Sequence, residues 1–138
     1  MPSDVILKIK RACEEQLNSI TPSVQIAYEG VNFVPPESEL YEACQFYLKN
    51  PDDPTFGLGY YRERFQFQVF VADIKGKGTS NALSRAELIR QHFGKGTTLV
   101  QDDIKVLVLE TPKIAGTTET NDRIVVPVLI DAIAEVYS

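Results

Sequence analysis

Several residue types are scarce in this chain of 138 residues. It has two cysteines, Cys13 and Cys44, and they do not form a CxxC pair, so we expect two buried, reduced thiols and no disulfide framework. The one histidine, His92, falls in the last turn of a predicted helix and has no positioned partner for acid–base chemistry. These shortages argue against a metal site and against catalysis that depends on histidine.

Long apolar runs and a surplus of basic residues are also missing. No apolar run approaches the roughly 20 residues that span a bilayer, and residues 1–4 lack the basic segment of a signal peptide. We therefore expect no membrane association and a product that stays in the cytoplasm where it is made. With 14 Lys and Arg against 19 Asp and Glu, the formal net charge is −5, which argues against nucleic-acid binding through a broad basic face.

What the chain does contain is a regular succession of helical and extended patterns. Apolar residues at helical spacing predict two helices, and alternating segments predict five strands. The order α-β-β-β-α-β-β predicts a single α+β domain over residues 1–138. We expect a two-layer sandwich in which both helices cover one face of a mixed or antiparallel sheet. The predicted helices are 3–20 and 81–93, and the predicted strands are 23–28, 40–48, 61–72, 104–109 and 123–130.

The strand over residues 61–72 has the clearest pattern, with apolar side chains on one side and a polar row on the other. That row begins with Arg62 and Arg64 and continues through two glutamines. Such a row is either a solvated sheet face or an interface, where arginine is enriched. In the last strand, Pro127 cannot donate a hydrogen bond to a ladder, so we expect this strand to lie at a sheet edge or to bulge there.

The loop over residues 29–39 carries apolar side chains that are unusual for a solvated loop. Val31, Phe33 and Val34 either tuck against the core or contact a partner, and we favour tucking.

A second loop, Gly-Lys-Gly-Thr-Ser at residues 76–80, faintly resembles a phosphate-binding loop but does not fit GxxxxGK[ST]. A tight strand-to-helix turn explains its glycines, and Thr79 or Ser80 can cap the helix that follows. Binding of an anion at the helix N-terminus is the alternative.

Residues for catalysis or metal binding are not evident. The carboxylate pairs Asp52-Asp53 and Asp102-Asp103 are typical of turns rather than of a cation site. No serine lies in a GxSxG elbow. We therefore predict a protein that is not an enzyme and has no catalytic residue, cofactor or metal.

Taken in order, several segments resemble the small tail terminator (tail completion) proteins of long-tailed bacteriophages. The resemblance covers most of the chain, from Val24 to Ile130. It rests on the N-terminal amphipathic helix and on the order and spacing of short motifs along the chain. These motifs are Gly-Val-Asn-Phe-Val-Pro-Pro at 30–36, Arg-Phe-Gln-Phe-Gln-Val-Phe-Val at 64–71, Lys-Gly-Lys-Gly-Thr-Ser-Asn-Ala at 75–82, His-Phe at 92–93, Gly-Lys-Gly-Thr-Thr-Leu at 94–99 and Val-Pro-Val at 126–128.

The resemblance implies assembly rather than chemistry. Such proteins form a ring of identical copies, usually a hexamer, on the finished tail tube. The ring stops tube polymerisation and presents a surface to the head–tail connector protein. DNA passes through it without specific binding. A virion tail location follows, after assembly in the bacterial host cytoplasm, for a phage or a prophage.

Contacts between copies or with the tail tube protein are expected from six residues in three segments. Replacing both arginines of this set with glutamate should abolish rings and leave the fold intact. Two other functions remain open: a head-completion or connector protein, and a small cytoplasmic protein that binds an anion or nucleotide at residues 76–80. The six expected contact residues are Arg62, Arg64, Val31, Phe33, Lys75 and Lys77.

Overall fold

A computed structural model describes residues 4–54, 57 and 59–137. Within them lie two helices and eight strands. No helix among these residues is long and apolar enough to cross a membrane. The elements are α1 (Val5–Asn18), β1 (Gln25–Ala27), β2 (Tyr41–Leu48), β3 (Tyr60–Ile74), α2 (Ser80–His92), β4 (Thr98–Gln101), β5 (Ile104–Val108), β6 (Lys113–Ile114), β7 (Thr118–Glu119) and β8 (Arg123–Tyr137).

All eight strands belong to one mixed sheet, which is curled into a half-barrel. Its order is β1-β2-β3-β8-β5-β4, and the short strands β6 and β7 also pair with β8. Only the β1–β2 pair is parallel among the pairs described. The longest ladder joins β3 to β8 over fifteen residue pairs, from Tyr60 opposite Tyr137 to Ile74 opposite Arg123. This ladder is the centre of the sheet.

The apolar core lies on one face of that ladder. Phe65, Phe67 and Val69 of β3 are buried there, and the alternate residues of β8 continue the same face. Helix α1 contacts β4 and β5, and helix α2 contacts β3 and β8. The ring of Phe93, just beyond α2, lies 5.9 Å from that of Phe67 between centroids. The two helices therefore bury their apolar faces in a single cluster.

A buried ion pair ties α2 to the sheet. Arg85 donates a hydrogen bond to the carboxylate of Glu42 in β2, and it donates a second, at 2.5 Å, to the carbonyl of Pro22. Burial raises the pKa of Glu42, and the hydrogen bond from Arg85 opposes that shift. Such a pair fixes how α2 sits on the sheet, because removing either partner leaves a buried charge without compensation.

The predicted α+β class is confirmed, and both helices and all five predicted strands are present. The predicted two-layer sandwich is not confirmed, because the sheet is curled into a half-barrel. Residues 131–137 extend β8, so the last strand is fifteen residues long rather than eight. Three short strands, β4, β6 and β7, were not predicted, because two to four residues carry too little alternation to be recognised.

Pro127 does not lie on an edge strand, so the expected edge position is wrong. The ladder beside it is irregular, however, because residues 115–117 lie opposite only residues 126 and 127. Strand β8 is central, and Pro127 faces Phe70 in an uninterrupted register. The carbonyl of Pro127 accepts a hydrogen bond of 2.9 Å from the amide of Ala115. In a strand, the N and C=O of one residue point to the same side. The proline nitrogen therefore points at the interruption between β6 and β7, where no ladder donor is required.

Local predictions at the turns and thiols have mixed outcomes. Gly76 and Gly78 have φ of 97° and 79°, which supports a tight strand-to-helix turn. Thr79 occupies the N-cap of α2, but its side chain makes no capping hydrogen bond. Cys13 and Cys44 are free and buried, as predicted, and burial raises the pKa of the Cys44 thiol to about 12.

Core packing under the β3–β8 ladder gives a first prediction. Phe67→Ala should lower the free energy of unfolding by about 3–5 kcal/mol, because it opens a cavity in a close-packed core. Phe70→Ala is the matched control. It lies on the opposite face of the same strand and is only half-buried, so its loss should be clearly smaller. Urea unfolding of the two variants measures both values. Equal losses would contradict the assignment of the core to one face.

Candidate interaction surfaces

The sheet face opposite the core is referred to here as the outer face. On β3 it carries Arg62, Arg64, Gln66, Gln68 and Phe70, because these alternate with the buried residues. The register with β8 sets Glu135, Ile133, Asp131 and Leu129 beside the first four of them. The register with β5 extends the same face to Lys105 and Leu107. The polar row predicted from the sequence therefore belongs to a surface of several strands.

Arg62 is engaged within the chain. Its Nε donates to the hydroxyl of Tyr60 at 3.1 Å, and one Nη lies 3.4 Å from a carboxylate oxygen of Asp52. Glu135 lies 3.9 Å from the same guanidinium and accepts a hydrogen bond of 3.1 Å from Tyr60. The ring of Tyr137 is 4.9 Å from that of Tyr60. Replacing Arg62 therefore disrupts an internal cluster as well as any external contact.

Arg64 differs from its neighbour. Its side chain is exposed, and it makes no ion pair or side-chain hydrogen bond with any residue that the structure describes. The expectation that the double glutamate variant leaves the fold unchanged thus fits Arg64 better than Arg62. A single substitution at Arg64 tests an external contact without disrupting the internal cluster around Arg62.

The middle of the outer face is held by a chain of hydrogen bonds. Lys49 and Asp131 form an ion pair at 2.7 Å. Gln66 donates to the same Asp131 oxygen at 3.2 Å, and Gln68 donates to Gln66 at 2.7 Å. Neighbouring side chains fix one another in this way, so the face presents ordered polar groups without needing to rearrange.

In the 29–39 loop, one apolar residue tucks in and two project into solvent. Phe33 is half-buried, with its ring 5.3 Å from that of Tyr41. Val31 and Val34 are 63% and 86% exposed. The favoured packing is therefore seen for Phe33 alone, and contact of the two exposed valines with a partner stays a prediction.

Arg123 holds this loop in place. Its guanidinium is buried, lies 4.9 Å from the centre of the Tyr41 ring, and donates to the carbonyls of Pro36 and Glu39. The bond to Glu39 is 2.5 Å long. Sequence reasoning missed this anchor. Its loop partners lie 84 and 87 residues away in the chain, and an arginine at the start of a strand gives no local sign of them.

Lys75 and Lys77 lie at the end of β3 that is remote from Arg62. Twelve residues of β3 separate Lys75 from Arg62, which corresponds to roughly 40 Å along the strand. Lys75 forms an ion pair with Glu119 at 3.6 Å. Lys77 is exposed at the rim of a cleft of about 420 Å³. The two arginines and the two lysines predicted from the sequence therefore lie toward opposite ends of β3 rather than in one site.

The cleft beside Lys77 is poorly suited to an anion. Arg85 lines it but is already paired with Glu42. Asp73 also lines it, and one of its buried carboxylate oxygens has no hydrogen-bond partner among the described residues. An anion would meet this carboxylate in a partly apolar cleft, where like-charge repulsion is costly. No group of three or more His, Cys, Asp or Glu side chains converges within the described part of the chain.

A family model and a solved structure match the chain. The family model described as phage tail terminator protein matches residues 8–131. One solved structure, whose own name states no function, superposes with a TM-score of 0.71. It is 20% identical in sequence, and the match covers 100% of this chain and 97% of that one. At this identity the likeness extends to the fold alone. No curated protein matches the chain.

The anchoring role of Arg123 gives a second prediction. Arg123→Met should increase amide hydrogen exchange at Val31, whose amide donates at 3.1 Å to the carbonyl of Tyr28. The increase should be roughly tenfold or more, because two charge-assisted hydrogen bonds that order the loop are lost. Arg90→Met is the matched control, since Arg90 donates at 3.1 Å to the carbonyl of Pro112 instead. That variant should raise exchange near residue 112 and leave the 29–39 loop unchanged. Equal exchange of this loop in both variants would argue against the anchor.

Proposed function

The chain belongs to the phage tail terminator family and so has a structural role in a phage tail, and from this premise we propose its particular task. It forms a ring of identical copies on the end of the tail tube, stops tube polymerisation and provides the surface that joins the head. The ring is a hexamer whose partners are the tail tube protein and the head–tail connector protein. It is built in the host cytoplasm, from a phage or prophage gene, and becomes part of the virion.

The observation that carries this proposal is the outer face of the sheet. It carries a hydrogen-bonded polar row, and it is uncovered by the helices, which pack with the core on the opposite side. Arg64 offers an exposed cation on it with no ion pair in the described residues. An ordered face with a free arginine suits an interface, because little side-chain entropy remains to be lost on binding.

The charge of the protein fits a ring through which DNA passes. A net charge of −5 gives a surface that repels phosphates, so DNA slides through the lumen when acidic groups line it. This part of the proposal requires acidic side chains on the inner surface of the ring. A ring structure with a basic lumen would contradict it.

The proposed assembly is tested by mass. We expect size-exclusion chromatography with light scattering to give a hexamer, either in solution or after addition of purified tail tubes or Mg²⁺. A protein that stays monomeric and ignores tube ends would overturn the proposal. Recruitment to isolated connectors but not to tubes would favour the head-completion alternative instead.

A charge reversal on the outer face gives a third prediction. Arg64→Glu should weaken ring formation by roughly tenfold or more, because a cation at a subunit contact becomes a like charge. Glu87→Lys is the matched control, since Glu87 is exposed on helix α2, away from the outer face. Both variants should keep the melting temperature of the parent within a few degrees. Normal rings from Arg64→Glu would exclude this part of the sheet face from the interface.

A further inference from the structure

The two opposite edges of the sheet carry exposed apolar side chains. At one edge, the 29–39 loop connects β1 to β2 and presents Val31 and Val34. At the other edge, β4 and the adjoining β5 present Val100 and Leu107, which are 63% and 38% exposed. Leu109, 39% exposed, continues this second group. We call Val100, Leu107 and Leu109 the β4–β5 edge patch.

The register sets the edge patch on the outer face. Val100 lies opposite Lys105, which lies opposite Glu135 in β8. Leu107 lies opposite Ile133, which lies opposite Arg64 in β3. The patch is therefore continuous with the surface that carries the free arginine, and it is not part of the core beneath the helices.

A ring of identical copies needs two different surfaces that complement each other. Such a head-to-tail contact closes a ring when each copy offers one surface on each side. The loop and the edge patch are two such different surfaces, because they lie at the first and last strands of the sheet order. An isologous contact would instead require one surface that complements itself.

The charges of the two surfaces are also complementary. The 29–39 loop contains three exposed glutamates and no lysine or arginine. Glu37 and Glu39 of the loop are exposed and form no ion pair among the described residues. On the other side, Lys105 lies between Val100 and Leu107, and neither Lys105 nor Arg64 forms an ion pair within the same part of the chain. A head-to-tail contact between these surfaces would set two unpaired carboxylates of one copy near two unpaired cations of the next.

The loop is ordered before it binds. Arg123 fixes the carbonyls of Pro36 and Glu39, and Phe33 packs on Tyr41. The valines and glutamates of the loop are thereby held on a rigid support, which lowers the entropy lost on docking.

Asp102 and Glu110 flank the edge patch in sequence, so carboxylates border the cations there. These carboxylates would repel an acidic loop that docks in a shifted position, and one docking position is therefore favoured.

We propose that the 29–39 loop of one copy docks on the β4–β5 edge patch of the next copy, with Val31 and Val34 against Val100 and Leu107. Glu37 and Glu39 then lie near Lys105 and Arg64 of that neighbour. This inference rests on the proposed ring and names the two surfaces that build it. The occupant of the edge patch is therefore a second copy of this chain.

Mixing two variants tests the contact directly. The loop variant carries Val31→Asp and Val34→Asp, and the edge variant carries Val100→Asp and Leu107→Asp. Each alone should lose assembly by more than roughly tenfold, since burial of even one valine side chain at an interface is worth about that factor. Mixed in equal amounts, they should form dimers and nothing larger, because only one contact of the ring can still form. Native mass spectrometry measures these species.

Controls keep the result interpretable. Leu83→Asp removes an exposed apolar residue of helix α2 that belongs to neither surface, and it should assemble normally. If an aspartate variant fails to fold by circular dichroism, copies with Val34→Cys are mixed with copies with Val100→Cys under mild oxidation. A disulfide between copies supports the contact, and its absence in assembled rings overturns it.

The outcomes separate this inference from the proposed function. If the parent protein forms rings and the single-surface variants still do so, the loop–edge contact is overturned while the ring stands. If the parent forms no ring even on tail tubes, the proposed function fails and the contact falls with it. Dimers from the mixture, together with loss of assembly in each variant alone, support the contact.

Discussion

The antiparallel ladder between β3 and β8 is the constraint on which the other features depend. Its fifteen pairs fix which side chains point to the core and which point outward. A shift of one residue would exchange the two faces, burying Arg62 and Arg64 and exposing Phe65 and Phe67. The core specifies the register strongly, since Phe65, Phe67 and the alternate residues of β8 are almost fully buried. Because the helices pack on one face and fix the register, the arginines are left on the other face.

Two buried arginines join segments of the fold that are far apart in the sequence. Arg85 joins helix α2 to β2 and to the segment around Pro22, and Arg123 joins the start of β8 to the 29–39 loop. Each donates to a backbone carbonyl, so the buried guanidinium finds acceptors for its own N–H groups. The loop that projects Val31 and Val34 is consequently part of the folded body rather than a flexible appendage.

Sequence reasoning succeeded where one pattern ran for many residues. The alternation of β3 and the apolar stripe of α1 predicted both elements and the polar row, because period and burial agree over several turns or pleats. It failed where the determinant is non-local. The short strands β6 and β7 exist because β8 offers them a ladder, and Pro127 is tolerated in a central strand because they leave an interruption there. The carboxylate partners of Arg62 and the loop partners of Arg123 come from other parts of the chain, so no local spacing indicates them.

On the candidate surfaces, too, the sequence indicates which residues share a face but not which of them are paired within the chain. From sequence, Arg62 and Arg64 were equivalent members of one row, yet the fold engages the first with Tyr60, Asp52 and Glu135 and leaves the second exposed. A side chain already paired within its own chain must lose those partners before it can serve a neighbour, so its net contribution to association is small. A free cation above an ordered hydrogen-bonded face has no such cost. The exposed valines, the edge patch and Arg64 are therefore better placed to drive association than the more conspicuous polar row.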